Sequence, residues 1–270
     1  MTTVMATDIP RPIQATDIAG AIRACGIDVG QTVFVHSFLG AFGPIGGGLD
    51  GILSGFREAI GETGTLILPT YNYAFCGGEG YDHTTTPSTV GQITEHFRNR
   101  KGVVRTLHPV YSHAVEGPKS HEYAANPSPS GFGADSFFAK LKRDNAVFIF
   151  FGVSIQYATF VHHIEEMSEV PYRFQKIFHG RVTQNGTTSD YEARIFSRYL
   201  DVGVELDMQG FQSHLLGLGL LRTSILGRGR VMALDAETFF EEGSAYLRKH
   251  PFGFLREPII LDHLRAPHAN

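Results

Sequence analysis

The sequence predicts an α/β fold, specifically an α/β/α sandwich with a central mixed β-sheet plus antiparallel hairpin additions. Short runs of β-branched and aromatic residues alternate with amphipathic helical segments between residues 16 and 168. Several of these runs are continuously apolar, which is typical of strands buried on both faces of a parallel sheet. After Pro171, an Asn-Gly pair between two long segments indicates an antiparallel hairpin.

The elements of the N-terminal half follow from apolar spacing and from end signals. Thr16 and Asp17 are typical of a helix start, and Gly26 of a helix end. Asp50 is a favourable N-cap, and Pro69 ends a buried strand. The predicted order is a helix over 16–26, a strand over 32–35, a helix over 52–60, a strand over 64–68, helices beginning at Pro87 and over 134–142, a strand over 146–151 and a helix over 158–168.

The C-terminal part has a different pattern of predicted elements, in which hairpins replace the alternation of strands and helices. Its predicted elements are strands over 175–184 and 187–196 joined by Asn185-Gly186, a helix over 206–216, a hairpin around 227–229 and a helix over 236–249. No low-complexity linker and no internal repeat divides the chain. We therefore predict a single domain over residues 1–270.

Composition and charge exclude several classes of protein. The 270 residues include 23 Lys+Arg and 27 Asp+Glu, which gives a formal net charge of −4. Nucleic-acid binders and polybasic membrane modules need an excess of positive charge to meet phosphates, so both classes are disfavoured. With 42% hydrophobic and 19% charged residues, the chain can bury a large core, and extensive disorder is disfavoured.

The cysteine content and the apolar segments bear on the compartment. Cys25 and Cys76 are the only cysteines, too few for a disulfide framework or a four-cysteine zinc site. The N-terminus has no basic segment followed by an apolar one, and no stretch approaches the ~20 apolar residues that cross a bilayer. We expect a cytoplasmic protein with small-molecule partners, with no nucleic acid and no membrane, and leave a homodimer open.

The first candidate site is a glycine-rich loop that leaves the strand ending at His36 and Ser37. Backbone N–H groups in such a loop can hold an anion or a carbonyl oxygen. The loop has no Lys-Ser/Thr after its glycines, so it is not a phosphate loop of the Walker A type. Gly46, Gly48 and Gly51 match G-x-G-x-x-G by letter but lie well past the strand. A purely structural turn remains an equal alternative.

The second candidate site is the segment 159–166. In a helix, His162 and Glu165 are three residues apart and Glu166 is four residues from His162, so either carboxylate can fix or stabilise the imidazole. A general base needs this arrangement. A zinc site is disfavoured because no third ligand is nominated, and no metal is expected. The alternative is a partly exposed histidine pair with solvated glutamates.

The third candidate is the window 98–112, which contains Arg98, Arg100, Lys101 and Arg105 and no acidic residue. In a chain of negative net charge, such a window is suited to phosphates, and Ser112 could add a hydroxyl donor. The alternative is the solvated C-terminal end of a helix, where cations are common and stabilising.

A nucleophilic hydrolase is a competing hypothesis for the same residues. Ser37 beside His36, or Cys76 with one of the 13 histidines, could pair a nucleophile with a base. The sequence has no G-x-S-x-G elbow, and Cys76 lies in a glycine-rich segment without a recognisable partner. The hydrolase hypothesis therefore has little support.

Six motifs in register carry a resemblance to a known family. They are Val35–Leu39 with Phe42-Gly43, Gly64–Tyr71, Thr86–Gly91, Arg105 with His108-Pro109 and Ser112, Gly131–Gly133, and Gly152-Val153 with Thr159 and His162-x-x-Glu165. The sequence resembles the aminoglycoside 3-N-acetyltransferases, or antibiotic N-acetyltransferases, over about residues 15–250. The resemblance implies a fold distinct from the GNAT-type acetyltransferases. It also implies transfer of an acetyl or related acyl group from acyl-CoA to a primary amine of an aminoglycoside or amino sugar, in a ternary complex.

The resemblance also implies roles for individual residues. His162 matches the family's catalytic histidine, Glu165 the acid that follows it, and His36 the histidine of the strand-end motif. The substrate-binding residues implied or suggested by proximity are Tyr71, Tyr73, Thr159 and Glu166. The residues implied for coenzyme A are Ser37, Phe38 and Leu39 at the pantetheine, and Arg105, His108 and Ser112 near the phosphates. The co-substrate is acetyl-CoA or another acyl-CoA.

The sequence departs from the family pattern at sites that affect the acceptor. Phe38 replaces a serine of V-H-S-S-L, and Tyr111 replaces a second histidine. Glu165, Glu166 and Glu169 form an acidic cluster, but three cations, Arg173, Lys176 and Arg181, follow closely. These cations favour an anionic acceptor such as a phosphate-bearing amino sugar. The alternative function is a non-catalytic protein that binds coenzyme A or a nucleotide sugar.

Overall fold

The structure is a computed structural model that describes residues 11–200 and 203–260. The ends of the predicted 1–270 domain and residues 201–202 lie outside the described residues. In chain order the elements are α1 Ala15–Ala24, β1 Thr32–Ser37, α2 Gly48–Ile60, β2 Thr65–Pro69, β3 Tyr81–Asp82, α3 Gln92–Arg98, β4 Val104–Arg105, β5 His113–Glu116, α4 Ser120–Ala124, α5 Phe137–Arg143, β6 Val147–Phe151, α6 Val161–Met167, β7 Arg173–Gln184, β8 Thr187–Arg198, α7 Gln209–Gly217, β9 Arg222–Leu226, β10 Gly229–Asp235 and α8 Ala236–Lys249.

The central sheet has seven strands in the order β4-β5-β2-β1-β6-β10-β9. Its three middle strands, β2, β1 and β6, are parallel to one another, and the strands on either side pair antiparallel. The predicted mixed sheet is therefore confirmed. The carboxyl ends of the three parallel strands meet at one edge, which is where ligands bind in open α/β sheets.

Helices cover both faces of this sheet, as the predicted sandwich requires. Alternate residues of β1 point to opposite faces. Val33 and Val35 belong to a core with the apolar faces of α1, α2 and α3. Phe34 belongs to a second core on the other face, with residues of α5, α6, α7 and α8. Continuous burial of β1, β2 and β6 explains why these strands have no polar alternation in the sequence.

The predicted hairpin is confirmed and is longer than expected. Strands β7 and β8 pair over twelve residues each, from Arg173 opposite Arg198 to Gln184 opposite Thr187. Asn185 and Gly186 both have positive φ, 52° and 77°, as a two-residue turn of this kind needs. With β3, the hairpin forms a second, three-stranded sheet.

The helix starts differ from the predicted positions by one residue in α1 and by five residues in α3, and the first of these is within the ordinary uncertainty of a helix end. The first helix begins at Ala15, capped by Gln14 with Asp17. The second begins at Gly48 after Gly47, so Asp50 lies in its first turn. The helix expected to start at Pro87 begins only at Gln92.

The last helix of the N-terminal half begins at Val161, later than the predicted residue 158. The window 98–112 also contains the edge strand β4, which we did not predict from its charged residues. In the described part of the chain, no helix is long and apolar enough to cross a membrane.

Candidate active site

A cleft of about 590 Å³ opens at the carboxyl ends of β1, β2 and β6. Its lining comes from the three strand ends, from α3 and from the loop before α6. The lining residues are His36, Ser37, Phe38, Pro69, Tyr71, Tyr73, Val90, Thr94, Gly152, Val153, Ser154, Tyr157 and Thr159. Besides Tyr73 at its rim, the cleft brings together five more predicted site residues from segments that are far apart in sequence. They are His36, Ser37, Phe38, Tyr71 and Thr159.

His36 lies at the end of β1, is 6% exposed and is surrounded by aromatic rings. Its imidazole stacks on Phe150 with the centroids 6.0 Å apart and also contacts Phe34. The Nε2 atom is buried without a hydrogen-bond partner among the described residues. Burial lowers the pKa of His36 to about 3. The imidazole is therefore neutral at the wall of the cleft, and no carboxylate among residues 11–200 and 203–260 contacts it to stabilise an added proton.

Tyr71 and Thr159 connect the cleft wall to the start of α6. The Tyr71 hydroxyl lies 3.3 Å from Nε2 of His113. Burial raises the pKa of Tyr71 well above its usual range, and the neighbouring Thr159 side chain partly offsets the rise. The backbone N–H of His162 donates to the Thr159 carbonyl at 3.1 Å. Thr159, the lining residue nearest to His162 in the sequence, is three residues before it. His162 itself does not line the cleft.

A row of aromatic rings connects the rim of the cleft to His162. Tyr73 is 50% exposed at the rim, and its ring meets Tyr111 edge-on at 6.0 Å. Tyr111 contacts Phe132 at 4.7 Å, and Phe132 meets His162 edge-on at 5.1 Å. The ring contacts therefore extend from the rim of the cleft to the imidazole of His162.

His162 and Glu165 form the predicted pair on one face of α6. Nδ1 of His162 lies 2.6 Å from Oε2 of Glu165, and the side chains are 19% and 0% exposed. An ionised carboxylate only accepts hydrogen bonds, so Nδ1 carries the proton and Nε2 is the free acceptor. Burial and then Arg173 lower the pKa of His162, while Glu165 opposes them. The imidazole is thus neutral near pH 7 and has a partner ready for its charged form.

Glu165 is a fully buried carboxylate that remains ionised. Burial alone would raise the pKa of this group, but Arg173 and His162 outweigh burial and lower it. Nε of Arg173 lies 2.7 Å from the same oxygen, Oε2, that His162 contacts. The arginine comes from the first residue of β7 and its side chain is 5% exposed.

The second histidine of the pair has a structural position. His163 is 2% exposed, and its Nδ1 donates to the Phe132 carbonyl at 2.6 Å. Its ring lies between Phe160 and Phe240, and burial lowers its pKa to about 4. Of the two adjacent histidines, only His162 has an exposed edge and a carboxylate.

The three remaining residues at the loop after β1 differ in what they offer a ligand. Ser37 is half-buried and Phe38 is 61% exposed, both at the cleft. The backbone N–H of Phe38 already donates to the Phe151 carbonyl at 2.9 Å, so it is not free to hold pantetheine. Leu39 begins a short 3-10 turn and packs on the α1 and α2 side of the sheet.

The predicted phosphate contacts have different surroundings from those that the sequence suggested. Arg105, His108 and Ser112 are buried, and none of them lines the cleft. The Arg105 guanidinium donates to Ser112 Oγ and to the carbonyls of residues 70, 83 and 86. Nδ1 of His108 accepts from the backbone N–H groups of residues 110 and 111. These contacts indicate that Arg105, His108 and Ser112 join strands and loops.

Two other cations of the window, Arg98 and Arg100, are paired with carboxylates. Arg98 contacts Glu95 at 2.6 Å, and Arg100 contacts Asp50, 50 positions away. Two of the four cations in this window are therefore neutralised by carboxylates that lie outside it in the sequence. The interpretation of 98–112 as an open cationic patch is wrong for these two arginines.

The cations expected to attract an anionic acceptor are also occupied in part. Arg173 is buried against Glu165, and Arg181 contacts Asp190 at 3.1 Å on the exposed hairpin. Lys176 lies over the ring of Phe178. The preference for an anionic acceptor therefore loses its main support, because Arg173 faces inward.

Two further carboxylates, Glu166 and Asp135, lie on or near α6. Glu166 is half-buried, and Gln175 donates to its Oε1 at 2.6 Å. A Cβ at Gly133 would lie 2.7 Å from Oγ of Ser130, 2.9 Å from Oε1 of Glu166 and 3.5 Å from Oδ1 of Asp135, so the two carboxylates lie close to this glycine. Burial raises the pKa of Glu166. Arg194 approaches Asp135 at 3.4 Å and partly balances this pair.

Sequence reasoning missed the contact of Arg173 with Glu165, because Arg173 is eight residues farther along the chain and on another element. The only available signal was a cation that directly follows a helix rich in carboxylates. Across residues 11–200 and 203–260, no three histidine, cysteine or acidic side chains are grouped as metal ligands would be.

Comparison with known proteins is consistent with this geometry. A family profile described as aminoglycoside 3-N-acetyltransferase matches residues 34–248. Aminoglycoside N(3)-acetyltransferase VII from Streptomyces paromomycinus is 25% identical, over 84% of this chain and 87% of that protein.

Solved structures show the same fold. The structure of AAC-IIIb with CoASH has a TM-score of 0.78 at 19% identity and covers 92% of this chain and 100% of that one. AAC-VIa bound to sisomicin also has a TM-score of 0.78, at 17% identity, and covers 89% and 99%. The match with the family profile extends over most of the sequence. The chain therefore belongs to the aminoglycoside 3-N-acetyltransferase family and is an acyltransferase.

Proposed function

We propose that the protein transfers an acyl group from acyl-CoA, with acetyl-CoA the simplest donor, to a primary amine in a ternary complex. The observation that carries this proposal is the neutral His162, whose Nδ1 contacts the buried carboxylate of Glu165 at 2.6 Å. A base that is unprotonated near pH 7, with its charged form stabilised in advance, suits the deprotonation of an amine.

The reaction balances with His162 as the only proton carrier. Nε2 of His162 accepts a proton from the amine as the nitrogen attacks the thioester carbonyl carbon. The C–N bond forms and the C–S bond breaks, and the imidazolium returns its proton to the departing thiolate. Because a thiolate is already a fair leaving group, positioning of the two substrates is the main remaining task.

The cleft is the proposed donor site. It lies at the strand ends and is lined by Thr159, which is three residues before His162 in the sequence. The related AAC-IIIb structure contains CoASH. We place the acyl group beside Tyr71 and Thr159, which line the part of the cleft that leads to the start of α6. The phosphates are not assigned to Arg105, His108 or Ser112, because these side chains contact other parts of the protein.

The proposed acceptor is a cationic amino sugar. Arg173 is turned inward, while Glu166 and Asp135 lie together around Gly133, near α6. A related structure, AAC-VIa, is bound to sisomicin. Carboxylates near the base suit an acceptor that carries further ammonium groups.

The test is thiol release from acetyl-CoA with a panel of aminoglycosides and neutral and phosphorylated amino sugars. We expect catalytic turnover with polycationic amines and little with phosphorylated ones. Tight coenzyme A binding without thiol release from any amine would contradict the proposal and favour the non-catalytic alternative. Turnover only with phosphorylated amines would contradict the acceptor assignment while leaving the reaction intact.

A further inference from the structure

Arg173 and His162 contact the same oxygen atom of one buried carboxylate. Nε of Arg173 lies 2.7 Å from Oε2 of Glu165, and Nδ1 of His162 lies 2.6 Å from it. The three side chains come from two elements, α6 and the first residue of β7. Glu165 is fully buried and the Arg173 side chain is 5% exposed, so solvent screens this contact weakly.

A guanidinium is charged at every pH at which proteins fold, whereas an imidazole is not. The carboxylate of Glu165 is therefore neutralised by Arg173 before His162 takes up any proton. An unpaired buried charge is costly. Without Arg173, the Glu165 carboxylate would therefore either become protonated itself or raise the pKa of His162, so that the imidazole is protonated. Either outcome would leave the base occupied before the amine arrives.

Other groups around the pair are consistent with this account. Arg198 lies opposite Arg173 in the hairpin register, and its charge also acts against protonation of His162. Burial raises the pKa of Tyr111, in the loop before β5, and the charge of Arg173 partly offsets the rise. Burial and then the charge of Glu165 raise the pKa of Tyr172. Oε1 of Glu165 is buried and has no hydrogen-bond partner in the described residues. Oε2 makes the hydrogen bond with His162 and the ion pair with Arg173.

We propose that Arg173 is a positioning residue that keeps Glu165 ionised and directed at Nδ1 of His162, so that the imidazole presents an unprotonated Nε2 to the amine. This inference rests on the proposed role of His162 as the general base. It assigns to the hairpin a part in the chemistry, because β7 supplies the residue that keeps the base free.

A purely structural role for Arg173 is the competing explanation. Its Nη1 also donates weakly to the Phe196 carbonyl at 3.4 Å, which ties β7 to β8. Loss of a structural contact would lower activity equally at every pH. Loss of the proposed role would instead move the pH at which the base becomes available.

The experiment compares Arg173→Met and Arg173→Lys with the original protein. The readouts are the kcat/KM profile from pH 5 to 9 and the titration of His162 by NMR with labelled histidine. In Arg173→Met we expect the acid limb and the His162 titration to move up by about one pH unit, a tenfold loss on the acid side. Activity should return at high pH. Arg173→Lys keeps the charge and should keep the limb near its original position.

Arg181→Gln is the matched control, since Arg181 lies on the same hairpin with a surface partner, Asp190. We expect no change in that variant. If Arg173→Met does not fold, Arg173→Gln removes the charge and keeps a hydrogen-bond donor, and serves the same comparison.

Two outcomes overturn different claims. An unchanged His162 titration with a uniform loss of activity in Arg173→Met would make Arg173 structural. Absence of thiol release by the original protein would instead overturn the proposed function, and the NMR titration would still decide whether Arg173 controls His162.

Discussion

His36 and His162 are both poorly exposed histidines close to the same cleft, yet their surroundings differ in kind. His36 is enclosed by Phe34 and Phe150, and burial alone lowers its pKa to about 3. His162 is also made less basic by burial, but Glu165 opposes the effect through a contact of 2.6 Å. Burial makes an imidazole neutral, while a carboxylate makes its protonated form attainable.

This difference separates two roles. A general base must be free before the reaction and stable when charged during it. His162 meets both conditions, because Glu165 is held ionised at its Nδ1. His36 meets only the first, and it can line the donor site or offer a neutral hydrogen bond. The two histidines were equivalent by residue type, and the neighbouring charge distinguishes them.

Among the variants that test the difference between His162 and His36, we expect removal of the Glu165 carboxylate to have the largest effect on activity. In Glu165→Gln, the imidazolium loses its stabilising charge while Arg173 still opposes it, so His162 becomes more like His36. We expect kcat to fall by about 10²-fold, within the usual contribution of general-base catalysis. Steady-state kinetics measure the change.

Glu169→Gln, an exposed neighbour of α6, is the control and should behave like the original protein. A loss in Glu165→Gln of less than about threefold, well short of the ordinary contribution of a general base, would show that Glu165 is not required.

Replacement of His36 should affect activity less and acid stability more. We expect His36→Asn to lower kcat/KM by about tenfold at most, the equivalent of one hydrogen bond. In the unfolded chain His36 takes up a proton below about pH 6.5, whereas in the fold its pKa is about 3. The folded protein therefore binds fewer protons, and stability falls as pH decreases below 6.5.

This linkage gives a second measurement for the same variant. In His36→Asn, the slope of unfolding free energy against pH should decrease by about 1.4 kcal/mol per pH unit between pH 6 and 4. Urea denaturation across that range measures it. An unchanged slope would mean that His36 is protonated in the fold, and the contrast with His162 would disappear.

The smallest effect on catalysis is expected at Arg105, which lies outside both histidine environments. Its donors reach Ser112 and three carbonyl groups. In Arg105→Met these acceptors lose a charged partner, and we expect a loss of about 3 kcal/mol in the unfolding free energy. The KM for acyl-CoA should change little. A large rise in KM with unchanged stability would restore the phosphate role predicted from the sequence.

The sequence predicted the sheet and the dyad because both depend on short-range patterns. Continuous apolar runs gave β1, β2 and β6, and Asn185-Gly186 gave the hairpin turn. The i to i+3 spacing of His162 and Glu165 requires only that the segment be helical, which it is from Val161. The prediction that His162 and Glu165 share a helix face therefore holds even when the predicted start of the helix is wrong by a few residues.

Partners that come from distant segments could not be predicted in the same way. Arg173 follows the acidic cluster in sequence and was interpreted as an acceptor contact, but the start of β7 turns its side chain toward Glu165. Asp50 reaches Arg100 across 50 positions. Charge density along a sequence does not reveal which charges the fold has already paired.

The most direct test of the central claim is chemical rescue of His162→Ala with the best amine of the panel. Removal of the imidazole should lower kcat by about 10²- to 10⁴-fold, and added imidazole should restore part of it in proportion to its unprotonated form. His36→Ala, with the same ring removed from the cleft wall, should show no rescue. Unchanged turnover in His162→Ala would contradict the assignment of His162 as the base.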